Sequence, residues 1–99
     1  MRKIVLICAA GMSTSLLVTK MRNAAAEEGY ECEIDAYPMA EAATAVEGAD
    51  IVLLGPQVRF NLEKVRSLAS CPVEPIEMSA YGRMDGEAIL EFVQEVLDD

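Results

Sequence analysis

A single cysteine at the end of an apolar run is the residue of this sequence best suited to chemistry. Cys8 follows apolar residues 4–7 and opens a short loop of small and hydroxyl-bearing residues that leads into an amphipathic stretch. A thiolate at the start of a helix is stabilised by the helix dipole and by unpaired backbone N–H groups, and the same groups bind a phosphate dianion. The pattern therefore predicts a nucleophilic Cys8 that holds a phosphoryl group. The predicted phosphate-binding residues are Ala9, Ala10, Gly11, Met12, Ser13, Thr14 and Ser15.

The loop lacks the arginine of cysteine-dependent phosphatases, which narrows the reactions that Cys8 could support. Cysteine-dependent phosphatases of low molecular weight use the pattern Cys-x5-Arg, in which the arginine stabilises the transition state. In this chain Thr14 occupies the arginine position, and the first basic residue after Cys8 is Lys20. The loop is therefore predicted to hold a phosphoryl group without driving its hydrolysis, which is what a phosphoryl carrier requires. On its own, a cysteine at a buried strand end is more often an inert small hydrophobe.

Composition bounds the class of protein. The chain has 99 residues, 53% of them hydrophobic and 25% charged, and is predicted to form one globular domain spanning residues 1–99. Its apolar runs are far shorter than the roughly 20 residues of a membrane span, so we expect a cytoplasmic protein without membrane insertion. A net charge of −9 argues against binding nucleic acid. Because the chain has no histidine and no Cys-x-x-Cys pair, we expect it to bind no metal ion, and we expect no cofactor.

The remaining polar candidates are predicted to be structural. Cys32 lies on the buried face of an alternating segment, and Cys71 precedes a proline, so neither is expected to react. Asp85 is predicted to cap the last helix rather than to act as a general acid. Tyr81 is expected in a turn that could border the site, and Met78 in the core.

Strand and helix patterns alternate along the chain and predict an α/β fold. Strands are expected at residues 2–8, 30–37, 50–55 and 72–78, and helices after Ser13 or Thr14, weakly over 39–47, after Asn61 and after Asp85. The alternating polarity of the second strand and Pro75 in the fourth place both at edges. The predicted architecture is a three-layer, flavodoxin-like, doubly wound four-stranded parallel sheet of order 2-1-3-4, with helices on both faces. In such sheets ligands bind where the strand order reverses, and that is where Cys8 ends strand 1.

The first segment also resembles a known protein family. Residues 4–17, IVLICAAGMSTSLL, resemble the phosphorylation-site segment of the IIB (EIIB) components of the bacterial phosphoenolpyruvate-dependent sugar phosphotransferase system (PTS), in the lactose/cellobiose/chitobiose branch. The resemblance continues through residues 49–57 and 72–74, then Tyr81-Gly82 and Asp85-Gly86, and so covers essentially the whole chain.

The resemblance implies a role for Cys8 and two partners. Cys8 would take a phosphoryl group from a phosphohistidine on a IIA (EIIA) protein and pass it to a sugar bound in the membrane-embedded IIC (EIIC) transporter. The amides of residues 9–15 would cradle the phosphate. The expected sugar is a cellobiose, chitobiose or lactose-like β-disaccharide, and it would be recognised mainly by IIC.

Two other classes of function stay open on the sequence. A phosphatase is disfavoured by Thr14 at the arginine position. A non-catalytic binding or signalling module of flavodoxin-like fold is the other alternative. A receiver domain would carry an acidic pair near the end of strand 1, and a flavin-binding loop would carry hydroxyl groups where Ala9 and Ala10 stand.

Overall fold

A computed structural model describes residues 1–9 and 12–99, with Met12 and Ser13 described by their backbone alone. Four strands and five α-helices alternate in it, with 3₁₀ segments at Met39–Glu41 and Pro56–Asn61. The strands are β1 (Arg2–Cys8), β2 (Cys32–Pro38), β3 (Ile51–Leu54) and β4 (Val73–Pro75). The helices are α1 (Met12–Glu28), α2 (Ala42–Ala45), α3 (Leu62–Leu68), α4 (Met78–Gly82) and α5 (Gly86–Leu97).

The strands form one parallel sheet in the order β2-β1-β3-β4, which confirms the predicted topology. β1 pairs along its whole length with β2, from Arg2 opposite Cys32 to Cys8 opposite Pro38, and on its other side Ile7 lies opposite Leu54. Because the strands are parallel, their carboxyl ends meet at one edge of the sheet. The chain order reverses between β1 and β3, so the crevice expected in such folds would lie beside Cys8.

Alternate side chains of β1 enter two separate cores, because successive residues of a strand point to opposite faces. Ile4 and Leu6 pack under α1, α4 and α5, together with buried Leu17 and Met21 of α1. On the opposite face the core lies under α2 and α3 and contains Val5, Ile7, Val52, Leu54 and Val65. Both faces are thus covered, which is why β1 and β3 read as continuous apolar runs.

The structure differs from the sequence-based elements mainly after β4. The predicted strand over residues 72–78 is wrong beyond Pro75, since Met78 begins a short helix and its side chain is exposed rather than in the core. Tyr81 lies in that helix and is buried, not in a turn. Asn61 does occupy the position before α3, but its side chain makes no capping hydrogen bond because a 3₁₀ helix already leads into α3. No helix in residues 1–9 and 12–99 has the length and apolar character needed to cross a bilayer.

The amino-terminal edge of the sheet is closed by a charged cluster that joins the two ends of the chain. The Arg2 guanidinium donates to both carboxylate oxygens of Asp99, at 2.9 and 2.8 Å, and the Tyr30 hydroxyl donates to the same carboxylate at 2.6 Å. Lys3 N–H donates to Asp50 Oδ2 at 2.8 Å, next to it. This cluster fixes α5 to β1 at the edge opposite Cys8.

Acidification is expected to weaken this cluster. Hydrogen bonds from Arg2 and Tyr30 hold the pKa of Asp99 below its usual value. A carboxyl whose pKa is lower when folded stabilises the fold above its unfolded pKa, about 3.9, and that stability is lost as pH falls through the folded pKa. The free energy of unfolding measured in urea should therefore fall less for Asp99→Asn than for wild type between about pH 5 and about pH 2.

Asp98→Asn is the matched control, because Asp98 adjoins Asp99 and no described residue hydrogen-bonds to its side chain. It should keep the acid sensitivity of the wild type. Identical pH dependence in Asp99→Asn and wild type would contradict the role assigned to this cluster.

Candidate functional site

Cys8 is the last residue of β1 and lies at the carboxyl edge of the sheet, next to the reversal of strand order. It follows Ile4 and Leu6 at even spacing and therefore points to the face covered by α1. Its side chain is 5% exposed, while the next residue, Ala9, is exposed, so the thiol lies just beneath the surface. The Sγ atom donates a weak hydrogen bond to the Tyr37 carbonyl of β2, at 3.7 Å.

Helix α1 begins at Met12, four residues after Cys8, and runs for 17 residues. The prediction that Ser13 or Thr14 precedes the helix is therefore wrong, since both lie inside its first turn. The backbone N–H groups of residues 12–15 belong to that turn, where an α-helix has no carbonyl partners of its own. Ser15 is exposed. Of the other predicted loop residues, Ala10 and Gly11 lie outside the described residues, as do the side chains of Met12 and Ser13.

Thr14 is held by a contact that was not predicted from the sequence. Its hydroxyl is buried, 3% exposed, and lies 3.2 Å from the hydroxyl of Tyr81 on α4. Helix α4 follows β4, so this pair ties the first turn of α1 to the segment beyond the far edge strand. The position that carries arginine in the phosphatase pattern is thus occupied by an uncharged side chain committed to a buried contact.

The segment that leaves β3 forms the other side of the candidate site. Gly55 N–H donates to the Ile7 carbonyl at 2.9 Å, which holds this segment against the end of β1. A Cβ atom on Gly55 would lie 3.6 Å from Cys8 Cβ and 3.1 Å from Gln57 Oε1. Gln57 and Cys8 therefore border the same small space beside Gly55. Gln57 was not predicted as a site residue, although a polar residue just after Gly-Pro at the strand reversal was an available signal.

The other cysteines and Asp85 lie elsewhere. Cys32 and Cys71 are half-buried free cysteines that form no disulfide, and burial raises the pKa of both thiols. Asp85 accepts a hydrogen bond from Ala88 N–H at 3.0 Å, which confirms it as the cap of α5. That bond, with a second from Arg83, holds the pKa of Asp85 below its usual value, as expected for a cap and not for a proton donor. Within the described ranges, no three His, Cys, Asp or Glu side chains are grouped so as to hold a metal ion.

Exposed apolar side chains surround this edge of the sheet. Leu16 on α1 is 50% exposed, Phe60 after β3 is 81% exposed, and Met78 after β4 is 63% exposed. A cavity of about 400 Å³ lies beside β4, and Cys8 is not among its lining residues. It is lined by Arg59, Pro75, Ile76, Glu77, Met78, Ala80, Arg83, Ala88, Ile89 and Phe92.

Comparison with known proteins places this arrangement in a family. Residues 3–92 match the family model described as "PTS system, Lactose/Cellobiose specific IIB subunit". The chain is 43% identical to the galactose-specific EIIB component of the PTS of Lactococcus lactis subsp. cremoris, over 96% of this chain and 95% of that protein. It is 46% identical to the oligo-beta-mannoside-specific EIIB component of Bacillus subtilis, over 92% of this chain and 91% of that protein.

A solved structure extends the similarity to the fold. The solution structure of the cellobiose-specific phosphotransferase IIB component from Borrelia burgdorferi superimposes with a TM-score of 0.80 at 33% identity. The match covers 98% of this chain and 92% of that one. With a matching family model over most of its length and a shared four-stranded fold, the chain belongs to the lactose/cellobiose-specific IIB family of the sugar phosphotransferase system.

Proposed function

We propose that this IIB protein, with residues 1–99 as its single domain, carries a phosphoryl group on Cys8 between a IIA protein and a sugar bound by IIC. The observation that supports this most is the position of Cys8, at the strand reversal and four residues before the first turn of α1. In that position a thiolate and a phosphoryl group can both be stabilised by the N-terminal N–H groups of one helix.

The first step is transfer from nitrogen to sulfur. The Cys8 thiolate attacks the phosphorus of the phosphohistidine on IIA, an S–P bond forms, and the P–N bond breaks with its electron pair left on the imidazole nitrogen. The thiol proton passes to water beforehand, and with it goes the S–H donor of the contact to the Tyr37 carbonyl. Without this hydrogen bond the sulfur is no longer held at that oxygen, and in this proposal it rotates toward the first turn of α1.

The second step is transfer from sulfur to oxygen. A hydroxyl of the sugar in IIC attacks the phosphorus, a new O–P bond forms, and the S–P bond breaks to return the Cys8 thiolate. The hydroxyl proton passes to a base on the IIC side or to water. No metal or cofactor takes part. The sugar class we propose is a β-disaccharide such as cellobiose, chitobiose or a lactose-like sugar, in line with the oligo-beta-mannoside-specific and cellobiose-specific names of two relatives.

Resistance of the intermediate to water is what separates this carrier from a phosphatase. The uncharged Thr14 stands where a phosphatase has its arginine, and its hydroxyl is engaged with Tyr81 rather than aimed at a leaving group. Backbone N–H groups bind the dianion but supply no full positive charge to a hydrolytic transition state. We therefore propose that phosphorylated Cys8 persists until an acceptor docks.

Docking would use the apolar side chains around the site. Leu16, Phe60 and Met78 are exposed and follow three different strands, β1, β3 and β4, so we propose that they form the apolar part of the docking surface at the carboxyl edge. Covering them removes apolar surface from water and excludes water from the S–P bond during transfer. In this proposal the protein works at the cytoplasmic side of the membrane and meets IIC only by docking, with no inserted segment and no nucleic-acid partner.

The lifetime of the phosphorylated protein tests the proposal against a phosphatase. Incubation with a labelled, phosphorylated IIA protein of the cellobiose branch should yield one phosphoryl group per chain, lost only slowly after IIA is removed. Inorganic phosphate and phosphoprotein are measured in parallel over time. Rapid release of inorganic phosphate, or turnover of an aryl phosphate, would reject the carrier role.

A further inference from the structure

We propose that the carboxamide of Gln57 donates a hydrogen bond to the phosphoryl group on Cys8 and holds it for transfer. This inference rests on the proposed phosphorylation of Cys8. It adds a side chain from the β3 side of the crevice to a site that the sequence attributes only to residues 9–15.

Because Gly55 has no side chain, the Gln57 carboxamide and Cys8 face each other across its position. The position that a Gly55 Cβ would occupy is 3.1 Å from Gln57 Oε1 and 3.6 Å from Cys8 Cβ. The carboxamide and the cysteine are therefore the nearest side chains on two sides of one small space. A carboxamide is close to symmetric in shape, so a half-turn about its last bond places the NH₂ group where Oε1 now lies.

Among the described residues, nothing competes with a phosphoryl group for the carboxamide. No described residue donates to it or accepts from it, and the side chain is exposed. The other glutamine of the chain, Gln94, is committed instead, because its Nε2 donates to Glu28 at 2.9 Å. A phosphoryl group on Cys8 would give Gln57 a charged acceptor in place of water, and hydrogen bonds to charged groups are the stronger ones.

A neutral donor suits the chemistry of a carrier. An amide N–H fixes the orientation of a phosphoryl oxygen without the positive charge that arginine would bring to attack by water. Gln57 would thereby keep the S–P bond aligned for both protein partners while leaving hydrolysis slow.

Side-chain NMR spectra give the most direct test. The chain has only four carboxamides, Asn23, Gln57, Asn61 and Gln94, so their ¹⁵N-labelled NH₂ signals are readily separated and assigned with Gln57→Leu and Gln94→Leu. On phosphorylation of Cys8 by phosphorylated IIA, the Gln57 signal should shift and those of Asn23 and Gln94 should stay in place. An unmoved Gln57 signal in protein that carries the phosphoryl group on Cys8, by mass, would overturn the inference.

Transfer rates provide a second measurement on the same variants. Loss of one hydrogen bond to a charged group should slow phosphoryl acceptance by Gln57→Leu about tenfold. Gln57→Glu should be at least as slow, because its carboxylate repels the dianion. Gln94→Leu is the matched control and should transfer at the wild-type rate. Wild-type rates in both Gln57 variants would overturn the inference.

The two experiments separate this inference from the proposed function. If wild-type protein gains no phosphoryl group on Cys8, the carrier role fails and the inference with it. If Cys8 is phosphorylated and the Gln57 signal and rates do not change, only the role of Gln57 fails.

Discussion

Cys8→Ser is expected to lose phosphoryl acceptance from phosphorylated IIA by about three orders of magnitude or more, while keeping its fold. A serine hydroxyl stays protonated at neutral pH, and the chain has no histidine to take its proton. The substitution is nearly isosteric, and the new hydroxyl can donate to the Tyr37 carbonyl that the thiol now contacts. Acceptance is measured as label transferred per chain, and the fold by far-ultraviolet circular dichroism.

Cys32→Ser and Cys71→Ser are the matched controls and should accept at the wild-type rate. Burial raises the pKa of both thiols, so at neutral pH they are protonated and poor nucleophiles. Both also lie away from the strand reversal, in β2 and just before β4. Undiminished labelling of Cys8→Ser, or a large loss in either control, would contradict the assignment of the nucleophile.

Gly86→Ala is expected to reduce the stability of the fold by about 1–3 kcal/mol. A Cβ on Gly86 would lie 2.6 Å from the Lys20 carbonyl carbon and 2.7 Å from the Met21 nitrogen, so the start of α5 rests directly on the backbone of α1. Backbone atoms cannot rotate aside as a side chain can, and the two helices must separate. The gain in helix propensity from Gly to Ala, about 1 kcal/mol at most, does not offset this.

Gly82→Ala provides the comparison, because nothing lies within 4 Å of the Cβ position on Gly82. Urea unfolding should leave Gly82→Ala within about 0.5 kcal/mol of wild type, and thermal unfolding should place Gly86→Ala several degrees lower. Equal stabilities for the two variants would show that α1 and α5 are not packed as described.

The positions of Cys8 and of the strand reversal were predictable because they follow from local pattern. A continuous apolar run indicates a strand covered on both faces, and the alternating charges of Glu31, Glu33 and Asp35 indicate an edge. Together with Pro75, which places the fourth strand at the other edge, those two observations predict the strand order, and the order locates the crevice. Asp85 was predictable for a similar reason, since a helix cap depends on residues only a few positions away.

The contacts that join distant segments were not predictable. Tyr81 meets Thr14 across 67 positions of sequence, and no local pattern at either residue encodes the other. Gln57 approaches Cys8 only because Gly55 lacks a side chain between them. Both pairings depend on how helices and loops settle at the sheet edge, which is a property of the packed chain.

Apolar periodicity also overstates burial in two helices. Phe92 fits the apolar stripe of α5 and Leu68 that of α3, yet both are exposed, at 37% and 42%. The stripe predicts which way a residue faces, whereas burial also needs an element opposite it. For Phe92 the opposite side is the cavity beside β4.

The central claim is that the sulfur of Cys8 carries the phosphoryl group, and peptide mapping of the phosphorylated protein tests it most directly. After incubation with phosphorylated IIA, the intact chain should gain the mass of one phosphoryl group, and fragmentation should place it on the peptide that contains Cys8. A phosphoryl group found on another residue, or no gain in mass with a IIA protein that phosphorylates a related IIB, would contradict the account.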